Sequence, residues 1–139
     1  MGGRAGAILT AVLGPPVAHA ARDAVAATRG ASAPGTRPVV LVLGDSLSAE
    51  YGLRRGSGWV ELMAQRLATV PGRWQIFNAS ISGETTAGGR TRLPALLAEQ
   101  RPRLVIIELG GNDALRGLDL GATRAALDTM VTQAQASGA

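Results

Sequence analysis

Residues 39–48 read Val-Val-Leu-Val-Leu-Gly-Asp-Ser-Leu-Ser, an uninterrupted apolar run followed by small and polar residues. The first five residues are all valine or leucine, without polar alternation, which is typical of a strand buried on both faces of a parallel sheet. Gly44 ends the run, because its backbone can adopt conformations closed to other residues. Asp45 and Ser46 follow at the carboxyl end of this strand, where open α/β sheets bind ligands. Ser46 is therefore a candidate nucleophile, although Gly-Asp-Ser also fits an ordinary turn.

The length and composition of the chain fit one globular α/β domain. It has 139 residues, of which 46% are hydrophobic, and a formal net charge of +4. All 14 basic residues are arginines scattered along the sequence. No basic run is interleaved with aromatic residues, so we expect no nucleic-acid partner. With no cysteine, the chain has neither disulfides nor a thiolate metal site.

Residues 1–20 look like a secretory signal peptide. Arg4 supplies a positive start, residues 5–13 are apolar, and residues 18–20 (Ala-His-Ala) match a small-x-small cleavage site. The apolar stretch is too short to span a bilayer, so we expect no stable membrane insertion. This interpretation predicts export to a periplasm or to the medium. The alternative is a disordered or helical amino-terminal tail.

Strands and helices alternate along residues 39–139, after a linker over residues 21–38 that is rich in Ala, Gly, Pro and Arg. The pattern predicts strands over residues 39–43, 74–79 and 104–109. It predicts helices over residues 59–70, over a stretch that contains Leu93, Leu96 and Leu97, and over roughly residues 121–136. Pro94 then lies either in the first turn of the second helix or at a kink in it. Such alternation calls for right-handed crossovers between parallel strands. We therefore expect a three-layer αβα fold, with a flavodoxin-like parallel sheet and helices on both faces.

Two of these helices carry apolar stripes at helical spacing. In the first helix we expect Ser57 to be the N-cap. Its stripe, which we expect to be core, consists of Trp59, Val60, Met63 and Leu67. The last has a mostly apolar face: Leu120, Arg124, Leu127, Met130, Val131 and Ala134.

Polar, glycine-rich loops follow all three predicted strands and therefore lie on the same rim of the sheet. The loop over residues 80–89 does not match a phosphate-binding G-x-x-x-x-G-K-[ST] pattern, because it has no lysine. No G-x-G-x-x-G follows the first strand either. These absences count against a flavodoxin-like nucleotide-binding protein.

The three loops contain the groups that acyl transfer from an ester needs. Such a reaction requires a nucleophile, a base and hydrogen-bond donors for the developing oxyanion. Ser46 is the candidate nucleophile, and its own N–H is a candidate donor. Gly83 offers a backbone N–H that no side chain obstructs, and Asn112 offers a side-chain amide. Together these make three donors for one oxyanion.

At these positions the sequence resembles the SGNH (GDSL) hydrolases. Residues 44–48 (Gly-Asp-Ser-Leu-Ser) look like the first motif of that family, residues 78–85 (Asn-Ala-Ser-Ile-Ser-Gly-Glu-Thr) like the second, and residues 110–117 (Gly-Gly-Asn-Asp-Ala-Leu-Arg-Gly) like the third. The likeness extends from Pro38 to about Ala136, and it favours the periplasmic thioesterase I, lysophospholipase and arylesterase subgroup. The surroundings of Ser46 do not fit the G-x-S-x-G elbow of α/β-hydrolases.

The resemblance implies a role for each matching residue. Ser46 is then the nucleophile, with an oxyanion hole formed by Ser46, Gly83 and Asn112, while Asp45 holds its loop by hydrogen bonds. The substrate is an acyl ester or thioester, and no cofactor is implied. A substrate-binding loop follows from the third motif: Asp113, Ala114, Leu115, Arg116 and Gly117.

One part of the family pattern is absent. The resemblance implies an Asp-x-x-His motif near the carboxyl terminus, yet the only histidine is His19, inside the predicted signal peptide. We therefore expect these residues to be the amino-terminal part of such a hydrolase, with a fold incomplete at the carboxyl end and little activity alone. A non-catalytic remnant that binds acyl chains or glycans is the alternative.

Four carboxylates on or near the loops raise the question of a metal: Asp45, Glu84, Glu108 and Asp113. Carboxylates on neighbouring loops without histidine or cysteine are more often structural than metal-binding. We expect no metal site.

Overall fold

The computed structural model of the chain describes residues 37–71 and 74–139. The predicted signal peptide, His19 and nearly all of the predicted linker lie outside these residues. Within them, three strands form one parallel sheet in the order β2-β1-β3. Their bounds are Val39–Gly44 for β1, Gln75–Asn78 for β2 and Leu104–Glu108 for β3.

Strand β1 lies at the centre of this sheet because it is the most apolar. Leu41 pairs in register with Phe77 on one side and with Val105 on the other. All residues of β1 after Val39 are buried. The predicted parallel sheet around a central buried strand is therefore confirmed.

Four helices accompany the described strands: α1 (Trp59–Ala68), α2 (Thr86–Gln100), the short α3 (Gly111–Leu115) and α4 (Leu120–Ala136). Because successive side chains of a strand face opposite sides, β1 contributes to two cores. Leu41 and Leu43 pack against α2 and α4, whereas Val40 and Val42 pack against α1. The helix residues buried in these cores are Leu93, Leu97 and Met130 on one face and Val60 on the other. The expected layers of helices on both faces are confirmed.

Helix α2 begins at Thr86, inside the stretch predicted as a loop over residues 80–89. Thr85 is its N-cap, and the Thr85 hydroxyl accepts the Gly88 N–H at 3.3 Å. Gly89 is a packing residue, since a Cβ there would lie 2.4 Å from Leu109 Cδ1. The glycines that indicated a loop therefore sit in a helix, and Pro94 lies in its interior.

The expected start of the first helix is also corrected. Gly58 is the N-cap of α1 and makes no side-chain cap, while the Ser57 hydroxyl donates to Arg54 O at 2.6 Å. A Cβ at Gly58 would lie 2.6 Å from Glu50 Cγ, so close packing selects glycine at this position. Trp59 is 38% exposed and is not a core residue.

Helix α4 buries a narrower face than its apolar pattern predicts. Its fully buried residues are Ala126, Met130 and Ala134, spaced four apart along one stripe. Arg124 and Val131 are exposed. Ala126 and Ala134, both small, lie on either side of Met130 in this stripe, on the helix that packs against α2.

Candidate active site

The turn over residues 45–49, called here the first turn, follows β1 and carries Ser46. The Ala49 N–H donates to Asp45 O at 2.9 Å, and the Leu47 N–H donates to Asp45 Oδ1 at 3.0 Å. Asp45 is buried and holds the turn by these bonds, the role expected of it. Within the described part of the chain, neither the Ser46 hydroxyl nor its N–H makes a hydrogen bond, and both can therefore meet a ligand.

The loop over residues 80–85, called here the second loop, carries Gly83. Its φ of +80° lies in the left-handed region, where glycine is favoured over residues with a side chain. The Ile81 N–H donates to Gly44 O at 3.0 Å, which ties this loop to the end of β1. Arg116 Nη2 donates to Gly83 O at 2.8 Å. Among residues 37–71 and 74–139, the Gly83 N–H has no hydrogen-bond acceptor.

Asn112, on α3, joins the first turn to the second loop. Its Nδ2 atom donates to Asp45 Oδ2 at 3.0 Å and to Glu84 O at 3.0 Å. Asp45 precedes Ser46 and Glu84 follows Gly83, so Asn112 links the two segments that carry the other predicted oxyanion donors. Both amide hydrogens of Asn112 have acceptors here, and donation to a substrate therefore requires one of them to be released.

Asp113 is 2% exposed and accepts three hydrogen bonds. They come from the Thr86 N–H at 2.9 Å, the Thr86 hydroxyl at 2.6 Å and the Thr123 hydroxyl at 3.3 Å. Burial acts to raise the pKa of Asp113, but the hydrogen bonds that it accepts, chiefly from Thr86, together hold that pKa below its ordinary value of 3.8. The carboxylate is therefore charged at neutral pH and anchors α3 to α2 and α4.

The predicted substrate loop is thus only partly a loop. Ala114 and Leu115 belong to α3, and Asp113 is directed into the protein. Leu115 is 87% exposed, and Arg116 and Gly117 follow the helix on the surface. Substrate contact by the four residues after Asp113 stays a prediction.

Sequence analysis missed a group of polar contacts made by Ser48 in the first turn. The Ser48 hydroxyl donates to Glu108 Oε2 at 2.8 Å and accepts a hydrogen bond from Trp59 Nε1 at 3.2 Å. Asn78 Nδ2 donates to Ser48 O at 2.8 Å. The sequence feature that could have indicated these contacts is Glu108, a carboxylate at the end of an apolar strand.

A second missed contact supports the second loop from α2. Arg92 Nε lies 3.2 Å from Glu84 Oε2, and Arg92 Nη2 donates to Ala79 O. Gly88 leaves room for this carboxylate, because a Cβ there would lie 1.9 Å from Glu84 Oε1. The arginine therefore holds the loop on both sides of Gly83.

Residues 42–139 match the sequence model of the GDSL-like Lipase/Acylhydrolase family. The chain belongs to this family. It is 53% identical over 100 residues to Esterase TesA of Pseudomonas aeruginosa, covering 72% of this chain and 50% of that protein. Over the same length it is 41% identical to thioesterase 1/protease 1/lysophospholipase L1 of Escherichia coli K12, covering 72% of this chain and 47% of that protein.

Solved structures agree with this GDSL-like assignment. The crystal structure of TesA matches with a TM-score of 0.71 and 52% identity, over 73% of this chain and 56% of that one. Esterase EstA from Pseudoalteromonas sp. matches with a TM-score of 0.69 and 44% identity, over 73% and 55%. The resemblance seen in the three motifs is confirmed. The GDSL-like chain spans about half the length of the curated relatives it matches.

In the described residues, no group of three or more His, Cys, Asp or Glu side chains is arranged to hold a metal ion. The partners of the four carboxylates are separate: Asn112 for Asp45, Arg92 for Glu84, Ser48 for Glu108 and Thr86 for Asp113. The helices of the same residues include none that is long and apolar enough to cross a bilayer.

Proposed function

We propose that this chain supplies the nucleophile and the oxyanion hole of an exported hydrolase that cleaves acyl esters or thioesters. One observation carries the proposal. Asn112 Nδ2 lies 3.0 Å from oxygen atoms of both Asp45 and Glu84, the sequence neighbours of Ser46 and Gly83. These contacts support the proposal, because they link the two loops that carry the Ser46 hydroxyl and the N–H groups of Ser46 and Gly83. Within the described residues these groups have no other hydrogen-bond partner.

In the proposed reaction, Ser46 Oγ attacks the acyl carbonyl carbon. The carbonyl oxygen becomes an oxyanion and accepts hydrogen bonds from the N–H groups of Ser46 and Gly83 and from Asn112 Nδ2. The alcohol or thiol then leaves with the proton from Ser46, and water releases the acyl group from the serine. The described residues include no histidine, so they do not supply an imidazole as the base that moves these protons.

The names of the relatives support the substrate class. They are an esterase, a protein named thioesterase 1/protease 1/lysophospholipase L1, and an arylesterase from Vibrio mimicus that is 43% identical over 100 residues. Each of the three names includes hydrolysis of acyl esters or thioesters. Export is proposed from the pattern of residues 1–20 alone.

The experiment compares Ser46→Ala with Ser57→Ala in the protein as its native host produces it. We expect Ser46→Ala to lower kcat on p-nitrophenyl esters by up to about 10⁶-fold, because the nucleophile is lost. Ser57→Ala removes only a hydroxyl bonded to Arg54 O and is expected to leave kcat unchanged. Mass spectrometry after treatment with an alkylphosphonate ester should find the adduct on Ser46.

Equal rates for wild type and Ser46→Ala would refute the proposal. Absence of hydrolysis together with tight binding of acyl chains or glycans would identify a binding protein instead.

A further inference from the structure

We propose that Glu108 is a positioning residue that fixes the first turn and thereby orients Ser46 for attack. The inference rests on the proposed function, because it concerns the presentation of the Ser46 hydroxyl. It assigns a role in the rate of the chemical step to a carboxylate that does not itself touch substrate.

The carboxylate reaches the chain on both sides of Ser46. Glu108 Oε2 accepts the Ser48 hydroxyl at 2.8 Å, two residues after the nucleophile. The same oxygen lies 3.4 Å from the N–H of Asp45, the residue before it. One oxygen atom from β3 therefore restrains both ends of the short segment, residues 45–48, that contains Ser46.

Gly44 makes this approach possible. It pairs with Glu108 in the register of β1 and β3. A Cβ at Gly44 would lie 2.6 Å from Ser48 Oγ and 2.9 Å from Glu108 Oε2. Its φ is not in the left-handed region, so space selects glycine here, and the reason given from sequence is corrected.

The Ser48 hydroxyl is fixed from the opposite side as well. Trp59 Nε1 donates to it at 3.2 Å, which commits the hydroxyl proton to Glu108. Ser48 is 1% exposed, so water does not readily replace either partner. A chain of hydrogen bonds thus runs from Trp59 on α1 through the Ser48 hydroxyl to Glu108 on β3. Each group donates to the next, so the bonds polarise one another in the same direction.

The expected effect is on kcat. Misplacing a reacting group by about 1 Å costs about 10²-fold in rate. We expect Glu108→Leu to lower kcat by about 10²-fold with little change in KM. Glu108→Gln keeps an oxygen that can accept the Ser48 proton and should retain most of the activity. Glu99→Leu makes the same change on the exposed face of α2 and should alter neither constant.

The measurement uses the protein as its native host produces it, with a p-nitrophenyl ester as the probe. Kinetics are recorded well below the unfolding temperature, so that lost stability alone does not lower kcat. In parallel, hydrogen exchange is followed by NMR at the Ala49 N–H, which donates to Asp45 O across the turn. Faster exchange at Ala49 is expected in Glu108→Leu but not in Glu108→Gln or Glu99→Leu.

The outcomes separate the two proposals. If Ser46→Ala abolishes activity and Glu108→Leu keeps wild-type kcat, the positioning role is overturned and the proposed function stands. If wild type and Ser46→Ala hydrolyse the ester at the same rate, the proposed function fails. The role of Glu108 in catalysis then fails with it, and unchanged exchange at Ala49 would overturn its control of the turn as well.

Discussion

Asp113 shows how a single buried carboxylate can organise this rim of the sheet. It receives the Thr86 N–H and hydroxyl, and so it fixes the start of α2 relative to α3. Asn112 beside it joins the first turn and the second loop. These two adjacent residues therefore have different roles. Asp113 anchors α3 to α2, and Asn112 connects the first turn to the second loop at the proposed site.

The pKa of Asp113 predicts a pH dependence of stability. Because folding lowers this pKa below 3.8, the unfolded chain binds the proton more tightly. Stabilisation by Asp113 is complete above pH 3.8 and is lost as the pH falls through the lower folded value. We expect Asp113→Asn to lower the free energy of unfolding at pH 7 by about 1–3 kcal/mol. Its stability should also fall less steeply below pH 4, as urea titrations would show. Identical slopes for the two proteins would contradict this explanation.

Each of the two long helices that cover one face of the sheet starts at a side-chain cap. Thr85 caps α2, and Asp119 caps α4 by accepting the Ala122 N–H at 2.6 Å. Because α3 and α4 are separated by a few residues only, the cap at Asp119 also determines where the chain turns from one helix into the other.

Asp119→Ala tests the contribution of this cap. We expect the free energy of unfolding to fall by about 0.5–2 kcal/mol, since the Ala122 N–H at the start of α4 loses its acceptor. Asp128→Ala is the matched control in the same helix, where an exposed ion pair with Arg124 spans 3.8 Å. Such a pair contributes about 0.3–0.5 kcal/mol. Equal losses in thermal unfolding would show that Asp119 is not an effective cap.

In the described residues, the larger of the two cores lies between α2, α4 and the sheet. Met130 is 0% exposed and packs with Leu41, Leu43 and Leu93. Its long, flexible side chain fills the space that the small residues of α4 leave open. This core is therefore the main connection between α4 and the rest of the described residues.

Met130→Ala should lower the free energy of unfolding by about 2–5 kcal/mol, because it removes buried contacts and leaves a cavity. The neighbouring Val131 is 47% exposed, so Val131→Ala is expected to cost much less. Chemical denaturation of both variants gives the comparison. Similar midpoints would mean that α4 contributes little to the core.

Several features of the fold were predictable because their signals are local. The valine and leucine run of β1 indicates burial on both faces, and strand–helix alternation indicates a parallel sheet. Two predictions failed for a shared reason. Gly89 lies in a helix and not in the predicted loop, and Gly58 is the N-cap of α1 in place of Ser57. At both positions a Cβ would lie too close to a side chain, that of Leu109 for Gly89 and that of Glu50 for Gly58. Local turn preference does not contain those neighbours.

Sequence alone is enough to identify the family, the central strand and the candidate residues Ser46, Gly83 and Asn112, because short motifs and hydrophobic periodicity express them directly. Which groups those residues meet depends on the tertiary structure. Ser48 and Glu108 are 60 residues apart in sequence, and Asp45 and Asn112 are 67 apart. Their hydrogen bonds form because parallel pairing brings the ends of β1 and β3 to the same edge of the sheet. The pairing depends on packing across the whole core, so no local pattern reveals it.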